Sequence, residues 1–332
     1  MAGNIKNIAE MCGVTTATVS MALRDHTRIS ARRREEIQKV AKALGYHPNI
    51  AARDLRTGKT NSIGILWSLD AEVVRNLTLG LMNKGYISYL TDSLSDIGII
   101  NTALQDYINR NIAGLIIQNS GKLFSSPKTI EFIRQIPVVI IINENANELS
   151  LPEHLNCTVI NRNHCRPWEE IIKHFKSTGR KRIALVGQQL EITRENAYLR
   201  YLELSGFPTA GSRILSGEYN SHLVLSSEVE AKLLNKRLKY DAILTTNDEL
   251  AAAIIGLFLK HGVKVPQQIA VAGFNDEKMS KLFIPPLASV DRREQELTEM
   301  LLKDLFERLE NPDLPQRIET LDMSFICRES AG

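Results

Sequence analysis

Within the stretch GVTTATVSMALRDHTRIS, from Gly13 to Ser30, Thr15, Thr16, Ala17, Thr18, Ser20 and Met21 set out hydroxyls, methyls and a thioether, with no charge before Arg24. Side chains this short approach the floor of a nucleic-acid groove, where hydroxyls bond to base edges or phosphates and apolar groups meet thymine methyls. Arg24, Arg28 and the cluster Arg32, Arg33 and Arg34 follow, and supply charge for phosphates. A second set of residues stands at the ends of apolar runs farther along: Trp67, Asp70, Gln118, Asn119, Asn143, Asn161, Arg194, Asn247, Asp248 and Asn275. Amides, an arginine and an indole suit hydrogen bonding to, and stacking on, a polyhydroxylated ligand. General acid–base chemistry needs a paired acid and base instead, and these candidates are mostly amides. The chain also lacks a Walker loop, a G-x-S-x-G elbow and an H-E-x-x-H helix, so no catalytic residue and no cofactor is expected, and the protein is read as a non-enzyme. His154, Cys157, His164 and Cys165 crowd together at a spacing that matches no common zinc pattern, and no metal site is expected.

The groove-sized residues need helices to present them. Ile5, Ile8, Ala9 and Cys12 recur at helical spacing, and Gly13 offers a residue tolerant of positive φ where that helix must stop. Thr15 is placed to cap a second helix, with Thr18 or Val19, Ala22 and Leu23 turned inward and Thr16, Ala17, Ser20 and Met21 turned outward. Ser30 opens a third helix through Leu44, with Ile37, Val40, Ala41 and Leu44 inward and Gly45 as its stop. Helix, short turn, helix, loop and helix in this order form a helix-turn-helix module. Charge agrees with that reading. Residues 1–60 hold 11 Lys/Arg against 5 Asp/Glu, whereas the whole chain is only +3, so the basic excess is confined to this segment and residues 61–332 are net acidic. A small basic module on a larger body is built to meet a polyanion.

At 332 residues the chain exceeds one ordinary core, and 43% hydrophobic with 24% charged residues is the composition of a folded protein. No apolar run is long enough to span a bilayer, and Asn4, Lys6, Asn7 and Glu10 interrupt any secretory signal, so a cytoplasmic location is expected. Four scattered cysteines are read as reduced thiols.

The segment GYHPNIAARDLRTGKTNSIGIL, from Gly45 to Leu66, breaks the third helix at Pro48, allows two helical turns in NIAARDL, and leads through a polar linker into a β-like run. Together with IKNIAEMCGVTTATVSMAL it resembles the lactose and galactose repressor family of bacterial transcription regulators, and the resemblance extends along the whole chain. What the resemblance implies is a hinge helix that orders on operator DNA and wedges a leucine into the minor groove. Asn49, Ala52, Arg53 and Leu55 match that hinge, with Leu55 as the wedge. The family's major-groove readers map onto Thr16, Ala17 and Met21; some relatives carry arginine where this chain has Met21, so its half-site should differ from theirs.

From residue 61 the sequence alternates short β-branched runs, SIGILW, GLIIQ, PVVIII, CTVIN, RIALVG, DAILTT and IAVAGF, with amphipathic segments, as in an α/β fold of parallel sheets. The resemblance implies a two-lobed, periplasmic-binding-protein-like domain that binds an effector between its lobes. The expected organisation is a helix-turn-helix domain over residues 1–47, a hinge helix and linker over 48–60, and an effector-binding and dimerisation domain over 61–332. Its first lobe would take about 61–160 and 291–320, and its second about 161–290 and 321–332. Ligands in open α/β sheets sit beyond the carboxyl ends of strands, so the expected effector residues are Trp67, Asp70, Gln118, Asn119, Asn143, Arg194, Asn247 and Asn275. By family motif, Arg194, Asn247 and Asn275 match effector-binding positions, while Trp67 or Trp168 would stack on a sugar ring. Asn275 and Asn161 stand where relatives carry aspartate, and this loss of carboxylates points to an anionic effector. The function expected is that of a homodimeric, sequence-specific regulator of transcription, a repressor by the family's commoner mode. Its partners would be a pseudo-palindromic double-stranded operator and a sugar or sugar derivative, with no membrane. A sugar-binding protein with a vestigial DNA module, or a carbohydrate enzyme using the cleft, stays open as an alternative.

Overall fold

The computed structural model describes residues 4–23, 26–46, 60–68, 71–94, 96–119, 123–144, 151–152, 155–163, 165–187, 192–210, 212–215, 225–234 and 239–332. They belong to two compact units, residues 1–60 and 61–332. The first holds helices α1 (Ile5–Cys12), α2 (Thr16–Ala22) and α3 (Ala31–Ala43). Asn4 caps α1 by accepting the Asn7 N–H, and Gly13 ends it at φ 61°. Thr15 caps α2 by accepting the Thr18 N–H, whereas Ser30 takes the cap position of α3 without a side-chain bond. Ile8, Ala9, Cys12, Val19, Ala22, Ile37 and Ala41 form the buried centre, with Val40 and Leu44 packed against it. So small a core is reinforced by polar links between helices. Arg33, paired with Glu36 on its own helix, donates to the Cys12 carbonyl, and Gln38 donates to the Ala22 carbonyl. Arg33, expected among the phosphate contacts, is therefore a brace from α3 to the end of α1.

The second unit is built on two parallel sheets. Strands β1 (Ser62–Trp67), β2 (Ile87–Asp92), β3 (Gly114–Asn119), β4 (Val139–Asn143), β5 (Thr158–Asn163) and β11 (Arg317–Asp322) join in the order β11-β5-β4-β3-β1-β2. Strands β6 (Ile183–Gly187), β7 (Arg213–Leu215), β8 (Ala242–Thr245) and β9 (Ala270–Ala272) follow the order β7-β6-β8-β9. A short antiparallel pair, β10 (Ser289–Asp291) with β12 (Ser324–Ile326), completes the strands described. Helices α4 (Ala71–Asn83), α5 (Ile97–Asn109), α6 (Pro127–Arg134) and α11 (Glu294–Glu310) belong with the first sheet. Helices α7 (Cys165–Ser177), α8 (Ile192–Leu204), α9 (Ser227–Leu233) and α10 (Asp248–Lys260) belong with the second. Late in the chain, α11 places Leu297, Leu301 and Leu305 in one cluster with Ile63, Ile65 and Ile140, and β11 pairs with β5. Residues from opposite ends of the sequence thus share the first core.

The seven apolar runs read as strands are all strands. The sequence reading passed over β2, β7, β10, β11 and β12. Strands β2 and β11 are edges in which exposed and half-buried positions predominate, and so lack the continuous apolar run of a central parallel strand.

Arg308 fastens the returning helix to the sheet. Only 3% exposed, it donates to the Thr158 hydroxyl, the Asn156 amide oxygen and the carbonyls of Cys157, Leu314 and Pro315. Arg308→Ala leaves these acceptors without their donor and is expected to destabilise the unit by about 3 kcal/mol, read as a lower denaturant midpoint. An unchanged midpoint would show that the fastening contributes nothing.

Candidate nucleic-acid interface and ligand cleft

On α2, Thr16 and Ala17 are exposed and Ser20 and Met21 half-buried, one turn farther along the same face, while Val19 and Ala22 point into the core. Thr15 and Thr18 are engaged with each other: their hydroxyls lie 3.0 Å apart and Thr15 also accepts the Thr18 N–H. Their first task is to hold the start of the helix. Arg28 is exposed beyond the helix, in a turn where its N–H is accepted by His26 Nδ1. Arg32 is exposed as well. The expected contacts Arg24, Asn49, Ala52, Arg53 and Leu55 lie outside the described residues.

In the second unit the carboxyl ends of the central strands carry a ladder of amides. Asn119, Asn143 and Asn161 are register partners on β3, β4 and β5. Asn119 Nδ2 donates to Asn143 Oδ1 at 3.1 Å, and Asn143 Nδ2 donates to Asn161 Oδ1 at 2.9 Å. Asn119 also accepts the Leu123 N–H. The neutral amide suits each position, because it offers a donor to one neighbour and an acceptor to the other. Beside the ladder runs a charged row. Gln118 accepts the Ser68 N–H and donates to Glu144, which also receives Arg162 at 2.9 Å; Arg162 in turn donates to the Arg292 carbonyl. Arg292 reaches Glu144 as well, at 3.5 Å. Sequence reasoning missed Arg162 and Arg292. The signal available was a charged residue directly after Asn143 and Asn161, at the end of strands otherwise apolar.

The second sheet contributes Asn247 and Asn275. Asn247 caps α10, its side chain accepting the Leu250 N–H at 2.7 Å. Asn275 has φ 118° and the following Asp276 φ 47°, two successive non-glycine residues in a region that side chains rarely adopt. The Asn275 Oδ1 is buried without a hydrogen-bond partner. Between these asparagines, Asp248 accepts the Glu277 N–H and the hydroxyls of Ser280 and Ser289. Burial pushes its carboxyl above the usual range, and these hydrogen bonds pull it back.

Asn275 lines a cleft of about 1020 Å³ whose wall also includes Glu72 at the start of α4, Arg292, and Glu294 at the start of α11. An ion pair between Lys278 and Glu72, 3.1 Å, joins segments belonging to different sheets. Two expectations are corrected here. Trp67 is 2% exposed and packs with Ile63, Ile65, Val73 and Leu77, and Trp168 is fully buried against Tyr198 and Phe274. Core packing occupies their ring faces, so neither is a stacking surface. The described wall of the cleft carries seven carboxylates against four Lys/Arg side chains, and its field is opposite to the one an anionic ligand needs. Asp70 lies outside the described residues, as does the side chain of Arg194, whose backbone belongs to α8. Among the described residues, no group of three or more His, Cys, Asp or Glu could hold a metal, and no helix is long and apolar enough to cross a membrane.

Comparison with known proteins places both regions. The family model described as bacterial regulatory proteins, lacI family, matches residues 4–49, and the periplasmic binding protein-like domain matches residues 172–331. The HTH-type transcriptional regulator GntR of Pseudomonas aeruginosa is 27% identical over 98% of this chain and 95% of its own. The ribose operon repressor of Escherichia coli is 23% identical over 98% of this chain and 99% of its own. Among solved structures, the lac repressor dimer bound to operator and the anti-inducer ONPF superposes with a TM-score of 0.82 at 19% identity, covering 100% of this chain and 99% of that one.

The amide ladder yields a direct test. Asn143→Leu fits the volume but removes the donor to Asn161 and the acceptor for Asn119. Stability is expected to fall by about 1–3 kcal/mol in urea unfolding with an unaltered m-value. No change would mean that the amides exchange their bonds for others at no cost.

Proposed function

The chain belongs to the lacI family of bacterial regulatory proteins, and from that premise we propose that it is a sequence-specific, double-stranded-DNA-binding regulator of transcription whose operator affinity responds to a sugar or sugar derivative. The observation that carries the DNA reading is the outward face of α2, with Thr16, Ala17, Ser20 and Met21, in a module that holds the chain's whole basic excess. Such a helix enters a major groove, where Thr16 and Ser20 offer hydroxyls and Ala17 and Met21 apolar contact, with Arg28 and Arg32 near phosphates. The residues Asn49, Ala52, Arg53 and Leu55 would form the minor-groove hinge by resemblance to the family.

A homodimer is supported by the apolar side chains left uncovered on α4 and around β2. Leu79, Met82, Ile87, Leu90 and Leu94 are all exposed at the edge of the first sheet. Leaving such an edge bare invites association, and a second copy covers it symmetrically. Two-fold symmetry then sets a pseudo-palindromic operator. The lac repressor, a dimer on its operator, gives the reading its precedent.

The cleft supports the effector reading through Asn275 on its wall and the mixed charges around it, which suit hydroxyl groups better than a phosphate or carboxylate. The ribose operon repressor is the sugar-linked precedent by name. Ligand-linked changes in operator affinity of this kind amount to about 5–150-fold.

Selection of bound sequences from a random duplex library by the full-length protein is expected to return a pseudo-palindrome. Failure to enrich any motif, with and without a panel of neutral sugars, would overturn the reading. Met21→Arg is expected to add a guanine preference at one position in each half-site, worth about 1–3 kcal/mol of discrimination. An identical motif from the variant would remove Met21 from the groove.

A further inference from the structure

Asp248 does not face the cleft. At 1% exposure its carboxylate cannot touch a ligand, yet it organises the loop that does. Three successive N–H groups of that loop are assigned to acceptors: Asn275 to the Val290 carbonyl at 3.0 Å, Asp276 to the Ser289 hydroxyl at 3.0 Å, and Glu277 to Asp248 Oδ2 at 2.7 Å. Ser289 is fixed in turn by Asp248, since its hydrogen points to Asp248 Oδ1 and only then do its lone pairs face Asp276. Ser280, on the far side of the loop, donates to Asp248 Oδ2 at 2.8 Å. Two of the three N–H anchors, and the turn at Ser280, therefore depend on one carboxylate.

The loop needs these anchors because Asn275 and Asp276 both have positive φ, where a side chain crowds its own backbone and surrounding contacts must hold it. The sequence makes room for the carboxylate as well. A Cβ added to Gly273 would lie 2.1 Å from Asp248 Oδ1, so the residue at the end of β9 must lack one. The 2.6 Å ion pair of Asp276 with Arg328 restrains the Asp276 side chain and leaves its N–H direction to Ser289, which Asp248 fixes.

We propose that Asp248 is the positioning residue of the effector site: its buried carboxylate holds Asn275 and Asp276 in their positive-φ conformation and keeps the Asn275 amide oriented on the cleft wall before ligand arrives. This role rests on the reading of the cleft as the effector site. Preorganisation of this kind appears in affinity, because ordering the loop is then no longer charged against binding.

The test combines hydrogen–deuterium exchange and ligand titration on the full-length protein. The probe is whichever of D-ribose, D-glucose and D-galactose stabilises the wild type most in a thermal scan. Asp248→Asn keeps the shape but cannot accept every bond the carboxylate accepts. It is expected to raise exchange of the 275–277 amides at least tenfold, with α7 and β6 still protected, and to weaken the probe sugar about tenfold. Unchanged exchange at 275–277 in folded Asp248→Asn overturns the proposal, as does loosened exchange at 275–277 with unaltered affinity for the probe sugar. Should Asp248→Asn fail to fold, the double variant Ser280→Ala with Ser289→Ala removes the two hydroxyl bonds and is expected to shift both readouts about threefold; no shift overturns the proposal. If no sugar binds the wild type while exchange responds as expected, the sugar reading falls and the loop-holding role of Asp248 stands.

Discussion

Parallel pairing is the constraint on which the larger unit depends. Every strand of the six-stranded and four-stranded sheets runs parallel to its neighbours, so no two paired strands can be joined by a tight hairpin and all strands of a sheet end on one side. The strands can then be apolar along their length, as VIIIN on β4 is, with both faces covered. At the carboxyl ends this uniformity stops, and polar side chains must find partners there. The Asn119–Asn143–Asn161 ladder and the Gln118–Glu144–Arg162 row are where they find them.

These partnerships decide which groups are left to recognise anything. Asn119 and Asn143 serve each other and are 1% exposed, so their part is to tie the strand ends together. Arg162 is buried against Glu144 and the Arg292 carbonyl, a geometry in which the ion pair is supported by further hydrogen bonds instead of standing alone. Asn275 is different, with a strained backbone and an amide oxygen without a partner. Backbone strain of this kind persists only where surrounding contacts hold it, and here it sits on the wall of the cleft.

The N-terminal unit solves the opposite problem. Its core is small, and the α2 residues that could enlarge it, Thr16 and Ala17, are kept outside. Capping by Asn4 and Thr15, the left-handed stop at Gly13 and the Arg33 brace compensate with local hydrogen bonds. A module built this way exposes small side chains on a rigid helix, as groove reading requires.

Local patterns in the sequence determined much of this protein. The three N-terminal helices follow from helical spacing, from Thr15 and from glycines at 13 and 45; the central strands follow from continuous β-branched runs; and the basic excess of residues 1–60 is a matter of composition. Each is set by near neighbours in the chain, which is why it can be read without the fold. Edge strands β2 and β11 escaped because half-solvated strands lack a continuous apolar run and resemble surface segments. The site was legible only in part: Asn275 lines the cleft, whereas Asn247 caps α10, and Trp67 was expected to meet ligand and instead fills the core, since an indole at a strand end looks alike in either role. Only the tertiary structure decided that Arg162 and Arg292, distant in sequence, share Glu144, that α11 returns to the first core, and that Asp248 governs the loop of Asn275. Those are long-range hydrogen bonds and packing contacts, fixed by which chain segments the crossovers bring together, and no spacing along the sequence encodes them.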